Sequence, residues 1–506
     1  MKIISNTVLL LSFLLSQTAI GQQYDLAINN GRILDPETGL DAIRHVGING
    51  GDIVTLSEKV LAADSVIDAK GLVVAPGFID LHTHSPTPLG QYYQAFDGVT
   101  TALELEVGSF PILDYGVGIS DTPLINFGAS AGHVGMRVFE KNGLNVSDIL
   151  GGPKPEGIKG WMTALTYFFT DADTALAESL YEEATDEEIA TMRELLNADL
   201  EAGALGIGLP LDYFSDAIQD AEMRMIFATA AQHDAPIFVH IRRGIDGDPS
   251  GLTEVIDLAR EYGAAVHICH ISHNAISNLE FFLGEVRKAQ DEGIDITTEV
   301  LPYNAGSALI SSAVFGRDWQ TIFNITYADV EWAATGERFN KAMWDDYYEN
   351  KPDGQVVHHY LREEWTQRAV VEPGVIIVSD LLTMVSRDKN VAPHNGAFSK
   401  VLGRYVREQQ LLDLMTAVRK MTLLPARRLQ DHAPAFRQKG RLQPGMDADI
   451  TIFNPDTIVD NATYRNAYQE ATGIEYLIVN GKAVIKEGKL VEGTYPGQRM
   501  LATGKR

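Results

Sequence analysis

Pro76-Gly-Phe-Ile-Asp-Leu-His82-Thr-His84 is the stretch from which the rest of the chain can be read. A short apolar run ends in two histidines two positions apart, and alternate residues of a strand share a face. Both imidazoles therefore project to one side of a strand end, where their nitrogens can hold one cation. A lone pair of this kind is equally at home as core or surface histidines. The choice depends on whether other strand ends carry matching ligands.

They do. His240 closes Ile237-Phe-Val-His, His270 closes Val266-His-Ile-Cys-His, and Asp380 closes Val375-Ile-Ile-Val-Ser-Asp. Apolar runs of strand length begin near Val73, Thr100, Leu124, Gly203, Pro236, Ala264, Ile294 and Val375, with helical stretches between them. Eight such βα units predict a (β/α)8 TIM-like barrel, whose chemistry sits at strand C-termini and the loops beyond. Four imidazoles and a carboxylate at four strand ends then predict a metal site at the barrel mouth, with His82, His84, His240, His270 and Asp380 as ligands. His267 is out of phase with His270, and His273 lies beyond the strand end; both read as supporting or surface residues.

The second run, Thr100-Thr-Ala-Leu-Glu104-Leu-Glu106-Val-Gly, carries two acids inside an apolar strand. Helices cover the outside of such a strand, so its charges face inward. Glu106 lies nearer the C-terminal end, and Glu104 about 6–7 Å deeper. A carboxylate at Glu106 can bridge two ions, which also offsets the cost of burying its charge. The alternative is a buried salt bridge, with Arg242 as partner.

Outside the barrel, both chain ends show short strands broken by turns. Asp25-Leu-Ala-Ile-Asn, Val46-Gly-Ile and Val66-Ile-Asp stand at one end; Asp449-Ile-Thr-Ile-Phe and Tyr476-Leu-Ile-Val-Asn-Gly stand at the other. One small β-sandwich domain built from residues 22–72 and 440–506 is the economical reading, with the barrel over 73–439. About 70 residues separate Tyr303 from Val375, too many for a simple connection. That segment holds Trp319, Trp332, Trp344 and Trp365, four of the five tryptophans. A folded insertion at about 304–370, near the mouth, is expected. Residues 1–21 read as an export signal: Lys2, an apolar run from Thr7 to Leu15, and Ala19-Ile20-Gly21 as cleavage site. No Cys follows it, so a periplasmic or secreted protein without a stable membrane anchor is expected.

The totals narrow the function. A net charge of −27 argues against nucleic acid as a partner, since phosphates require a basic surface. The single cysteine, Cys269, rules out an internal disulfide framework. A small-molecule substrate fits both facts.

These motifs together resemble the amidohydrolase superfamily, and within it the D-aminoacylase, or N-acyl-D-amino-acid deacylase, branch. The resemblance rests on the histidine pair after Pro-Gly-Phe-Ile-Asp and on the closing Gly440-Arg-Leu-Gln-Pro-Gly-Met-Asp-Ala-Asp449. It rests also on His240-Ile-Arg242, Leu301-Pro-Tyr303-Asn-Ala-Gly-Ser307, Phe398-Ser-Lys-Val-Leu-Gly-Arg-Tyr-Val-Arg-Glu408, and Ala417 to Arg428. It covers nearly the whole chain beyond residue 21. It implies hydrolysis of a linear amide, most simply of an N-acyl-(D-)amino acid, to a carboxylate and a free amine. It implies one or two zinc-class ions, with Asp380 as general base and proton carrier. Tyr213, Arg242, Arg243, Tyr303 and Ser307 are the implied substrate contacts; for Tyr213 a packing role, and for the arginines a structural ion pair, stand as alternatives.

Three departures accompany the resemblance. The branch's metal-bridging Cys is absent, with Glu106 and Val107 in its place. Its substrate-binding Lys, two residues after the sixth-strand His, is Ser272 here. Its His-Pro-Arg beyond the eighth strand is replaced by Ala392-Pro-His394-Asn-Gly-Ala-Phe398. The fourth run, Gly203 to Tyr213, contains no lysine, unlike superfamily members that bridge two metals with a carboxylated lysine. Rival readings are a cyclic-amide or dipeptide hydrolase on the same barrel, and a binding protein that has lost turnover.

Overall fold

The computed structural model describes residues 24–142, 181–214, 217–312, 314–387 and 393–503. The expected export signal, 1–21, lies outside the described residues. No helix among the described residues is long and apolar enough to cross a membrane.

Eight strands follow one another in chain order around a parallel sheet: Phe78–Asp80, Val99–Ser109, Asn126–Gly132, Ile207–Leu209, Ile237–Val239, Val266–Ile268, Ile296–Val300 and Ile376–Ile377. Each pairs with the next in parallel. The last is tied to the first at their C-terminal ends: Asp380 N donates to His82 O at 2.8 Å, and His84 N to Leu381 O at 2.8 Å. Closure thus falls on the residues that carry the site. Nearly every inward and outward position of these strands is buried, because helices cover them outside and side chains fill them inside.

The helices between the strands begin and end on local signals. In Asp186–Ala202, Thr185 caps the N-terminus in a capping box with Glu188, and Gly203 ends the helix in the left-handed region at φ +109°. The second strand is the irregular one. It runs for eleven residues and is followed only by a short turn of helix, Ile112–Asp114, before the third. Its end passes close to the fourth strand, where a Cβ on Gly208 would stand 2.7 Å from Glu106 O. Glycine there lets the chain bearing Glu106 lie against its neighbour.

The run beginning at Val73 divides. Val73–Pro76 belongs to a nine-stranded mixed sheet made from both chain ends, pairing with Tyr24–Asp35 and antiparallel with Ile450–Phe453. Only after Gly77 does the chain enter the barrel, and a Cβ on Gly77 would meet Thr100 Oγ1 at 2.1 Å. Hydrogen bonds join all nine strands into one sheet, because Tyr24–Asp35 pairs with Ala63–Asp68 along its first part and with Val73–Pro76 further on. Leu26, Ile28, Ile48, Val74, Ile450 and Ile478 form part of its own apolar core.

Between the seventh and eighth barrel strands stands a four-stranded sheet, in the order Gly306–Leu309, Gln355–His358, Val330–Trp332, Glu337–Arg338. Trp319 and Trp344 are buried in its separate core with Phe315, Phe323 and Phe339, and Trp332 and Trp365 pack against it. These tryptophans serve the insertion's own packing. Its first and last segments face the barrel mouth.

Candidate metal centre

The site is organised around the Glu106 carboxylate. Its Oε2 lies 3.2 Å from His82 Nε2 and 3.4 Å from His84 Nε2. Its Oε1 lies 2.9 Å from His270 Nε2 and 3.0 Å from His240 Nδ1. One carboxylate therefore faces two pairs of imidazoles, one pair per oxygen. Asp380 Oδ1 closes the first pair, 3.4 Å from His84 Nε2 and 3.6 Å from His82 Nε2. Four groups of possible ligand atoms stand among the described residues: His82, His84 and Glu106; His82, His270 and Asp380; Glu106, His240 and His270; and, on the far side of His82, His82 with Cys269 and Glu299.

Behind the first three groups stand residues that aim them. His82 Nδ1 donates to Glu299 Oε1 at 2.5 Å, which leaves Nε2 directed at Glu106. Glu299 also accepts from His267 Nε2 at 2.9 Å and from the His270 backbone N–H at 3.3 Å. His84 Nδ1 is held by Glu104 Oε2 at 2.8 Å. Glu104 thus steers an imidazole, whereas Glu106 faces four. His394 Nδ1 donates to the backbone carbonyl of Asp380 at 2.7 Å, fixing a residue whose φ is +49°.

The electrostatics fit a cation. Burial opposes charge on His82, but Glu106, Asp380 and Glu299 outweigh it and raise its proton affinity well above the ordinary imidazole range. Burial likewise opposes charge on Glu106, yet His82, His240 and His270 hold its carboxyl well below the usual range. Asp380 is depressed in the same way, with His82 and His84 outweighing burial, and Glu299 is held to about 2 by His82 and His267. Burial, with His270 and Arg243 adding to it, pushes His240 down to about 4, so that ring is neutral and free to ligate. Its Nε2 is buried without a hydrogen-bond partner among the described residues, as is Nδ1 of His270, while its Nδ1 faces Glu106 at 3.0 Å. Converging carboxylates, a neutral imidazole at His240 and buried ring nitrogens without partners are the donor set that a zinc-class ion takes.

Of His82, His84, Glu106, His240, His270 and Asp380, all but His82 line a cavity of about 210 Å³ at the barrel mouth. Of the other residues singled out from sequence, Tyr213, Arg243 and Ser307 also line it. Tyr213 stands edge-on to His240 with ring centroids 5.1 Å apart. Tyr303 does not line it; its ring stacks behind His394 at 4.9 Å. Arg242 is not brought to the site, and the expectation of a substrate contact or a Glu106 partner there is corrected. Its Nε donates to Glu254 at 2.9 Å and its terminal nitrogen to Ile218 O at 2.6 Å. Both arginines lie beyond the strand Ile237–Val239, where the departing loop sets which way a side chain faces, and it is Arg243 that lines the cavity.

Sequence reading missed Glu299 and Asp212. Glu299 was open to the argument already applied to Glu106, an acid within a barrel strand that helices cover. Asp212 gave no such signal, since it lies in a short turn of helix beyond the fourth strand.

A parallel (β/α)8 barrel whose mouth gathers four histidines around one carboxylate defines a class of proteins by fold and site together. The particular member follows from the sequence: the profile of the Amidohydrolase family matches residues 158–485, and the chain belongs to that family. It is similar to the N-acyl-D-glutamate deacylase of Alcaligenes xylosoxydans xylosoxydans, at 28% identity over 92% of this chain and 94% of that one. It is similar also to the D-aminoacylase of the same organism, at 28% identity over 95% and 98%. Among solved structures, it resembles the N-acyl-D-glutamate deacylase of Bordetella bronchiseptica complexed with zinc and a phosphonate inhibitor. The TM-score is 0.74 and the identity 24%, over 95% of this chain and all of that one.

Proposed function

We propose that the protein is a metal-dependent hydrolase that deacylates N-acyl-D-amino acids, yielding a carboxylate and a free amine. The observation that carries this reading is the Glu106 carboxylate set between two histidine pairs, with Asp380 closing one of them. Similarity to two deacylases along nearly the full chain supports the choice of bond. His82, His84 and Asp380 would hold one ion; His240 and His270 would hold a second, with Glu106 shared. When bound, a zinc-class ion supplies Lewis acidity, polarising the scissile carbonyl and making a water acidic near neutral pH.

The chain's own residues supply the proton traffic. Asp380, kept ionised by its imidazole neighbours, takes a proton from the attacking water. It then delivers that proton to the amide nitrogen, which leaves as a neutral amine. The hydroxyl stays on the acyl carbon, so the balance is amide plus water to acid plus amine. Tyr213, whose hydroxyl burial keeps protonated, stands beside His240 where it can donate to the carbonyl oxygen.

Purified protein is expected to carry about one to two zinc-class ions per chain, and a chelator is expected to abolish activity and lower the melting temperature. Elemental analysis showing no metal, together with no thermal response to added zinc, would overturn the reading. Glu299→Gln removes the charge that receives His82 Nδ1–H. It is expected to weaken metal affinity on the order of 10–100-fold, measured by competition with a chromogenic chelator. An unchanged affinity would mean that Glu299 serves packing alone.

A further inference from the structure

We infer that Arg243 is the anchor for the substrate's α-carboxylate, and that the favoured substrate carries an uncharged side chain; this rests on the deacylase reading above. The starting observation is a buried carboxylate shared by two arginines, Arg243 and the partly exposed Arg317. Asp212, itself buried, accepts from Arg243 Nε at 2.9 Å and from both terminal nitrogens of Arg317, at 3.0 and 2.6 Å. Two guanidinium groups thus share one carboxylate, and the Arg243 side chain is only 6% exposed. Arg243 meets Asp212 through Nε and Nη2, both at 2.9 Å, but the three side chains together carry one positive charge in excess, which an anionic ligand would balance.

Among the described residues, the other side chains that Arg243 contacts bring no charge. Its Nη1 lies 3.5 Å from the Tyr360 hydroxyl, and its guanidinium stands over the Phe323 ring at 5.1 Å. Arg243 nevertheless lines the same cavity as the metal centre, as do Tyr360 and His273. His273 is 5% exposed, and its Nε2 has no hydrogen-bond partner among the described residues. Its ring lies 5.7 Å from Tyr360 and 5.9 Å from His270. An imidazole with an idle nitrogen therefore bridges the arginine's surroundings to the metal ligands.

Spacing selects the carboxylate. In an N-acyl amino acid a single carbon separates the α-carboxylate from the scissile amide, so the anchor must adjoin the metal centre. It does, because the Asp212 carboxylate that orients Arg243 lies 3.6 Å from His240 Nε2. Ser272, where the resemblance expects a lysine, carries no charge to this end of the cavity. Among the described lining residues Arg243 is the only arginine, and none is lysine. Much of the wall is apolar, with Val107, Leu309, Val314 and Leu382. A second carboxylate on the side chain would find no second guanidinium or ammonium partner among the described lining residues.

The test uses the zinc-loaded enzyme with N-acetyl-D-methionine, its neutral carboxamide and N-acetyl-D-glutamate. Turnover and ligand-induced rise in melting temperature are read separately. The wild type is expected to prefer the methionine acid over its carboxamide on the order of 10²-fold in kcat/KM, and to use N-acetyl-D-glutamate less well. In Arg243→Gln the acid-to-carboxamide ratio is expected to collapse towards one, chiefly through KM, with Arg243→Lys between the two. Thermal stabilisation by the acid should be lost in parallel. An equal fall for both substrates that leaves the ratio intact, or a wild type that prefers N-acetyl-D-glutamate, overturns the inference. If the wild type turns over none of the three, the deacylase reading falls. Selective stabilisation by the methionine acid, lost in Arg243→Gln and reduced in Arg243→Lys, then supports the arginine as anchor, and its absence in the wild type overturns that too.

Discussion

Replacing Asp380 with Asn is expected to leave metal bound and to lower kcat by about 10²–10⁴-fold. The carboxylate stands 3.4 Å from His84 Nε2 and 3.6 Å from His82 Nε2, and an amide oxygen in the same place still offers a ligand atom. What is lost is the ability to take a proton from water and return it to the departing amine. The substitution is also mild for the backbone. Asp380 sits at φ +49°, a region that Asn tolerates better than most residues, so a collapse of the fold is not expected to obscure the result. Metal content, melting temperature and kcat, measured on one preparation, check each part. Near-normal turnover would show that another group carries the proton.

Replacing Glu106 with Gln is expected to reduce bound metal and, with it, most of the activity. Each Glu106 oxygen faces a different histidine pair, so this one side chain joins the two halves of the centre. Gln preserves volume and supplies one oxygen, but it removes the charge and turns an amide nitrogen toward one pair of rings. Elemental analysis should show the second ion lost first. Glu104→Gln provides the contrast. Glu104 touches only His84 Nδ1 among the histidine rings, at 2.8 Å, so that variant should keep its metal count and lose affinity more modestly. If Glu106→Gln keeps full metal and rate while Glu104→Gln loses both, the bridging carboxylate has been assigned to the wrong residue. If neither loses metal, both acids are structural.

Much of this site was legible in one dimension because a barrel converts sequence position into spatial position. A residue that closes a barrel strand stands at the mouth, whatever its distance along the chain. His82, His240, His270 and Asp380 are hundreds of residues apart in part, yet each closes or just follows an apolar run, and that sufficed to bring them together in the reading. The same rule separated Glu106 from Glu104 by depth. It did not tell which of two adjacent arginines faces inward, since beyond a strand end the alternation of faces is set by how the loop departs.

The sequence alone pointed to the parallel barrel, to a small β domain drawn from both chain ends, whose strands the structure joins into one mixed sheet rather than a sandwich, and to histidines and carboxylates at strand ends. All follow from periodicity and from charges in runs that helices must cover. Only the tertiary structure decided that Glu106 divides its oxygens between two histidine pairs and that Glu299 aims His82 from the seventh strand. It also decided that Asp212 is shared by two arginines from distant segments. Such contacts depend on how far each strand extends and how each loop turns at its end, and no local pattern of residues encodes that.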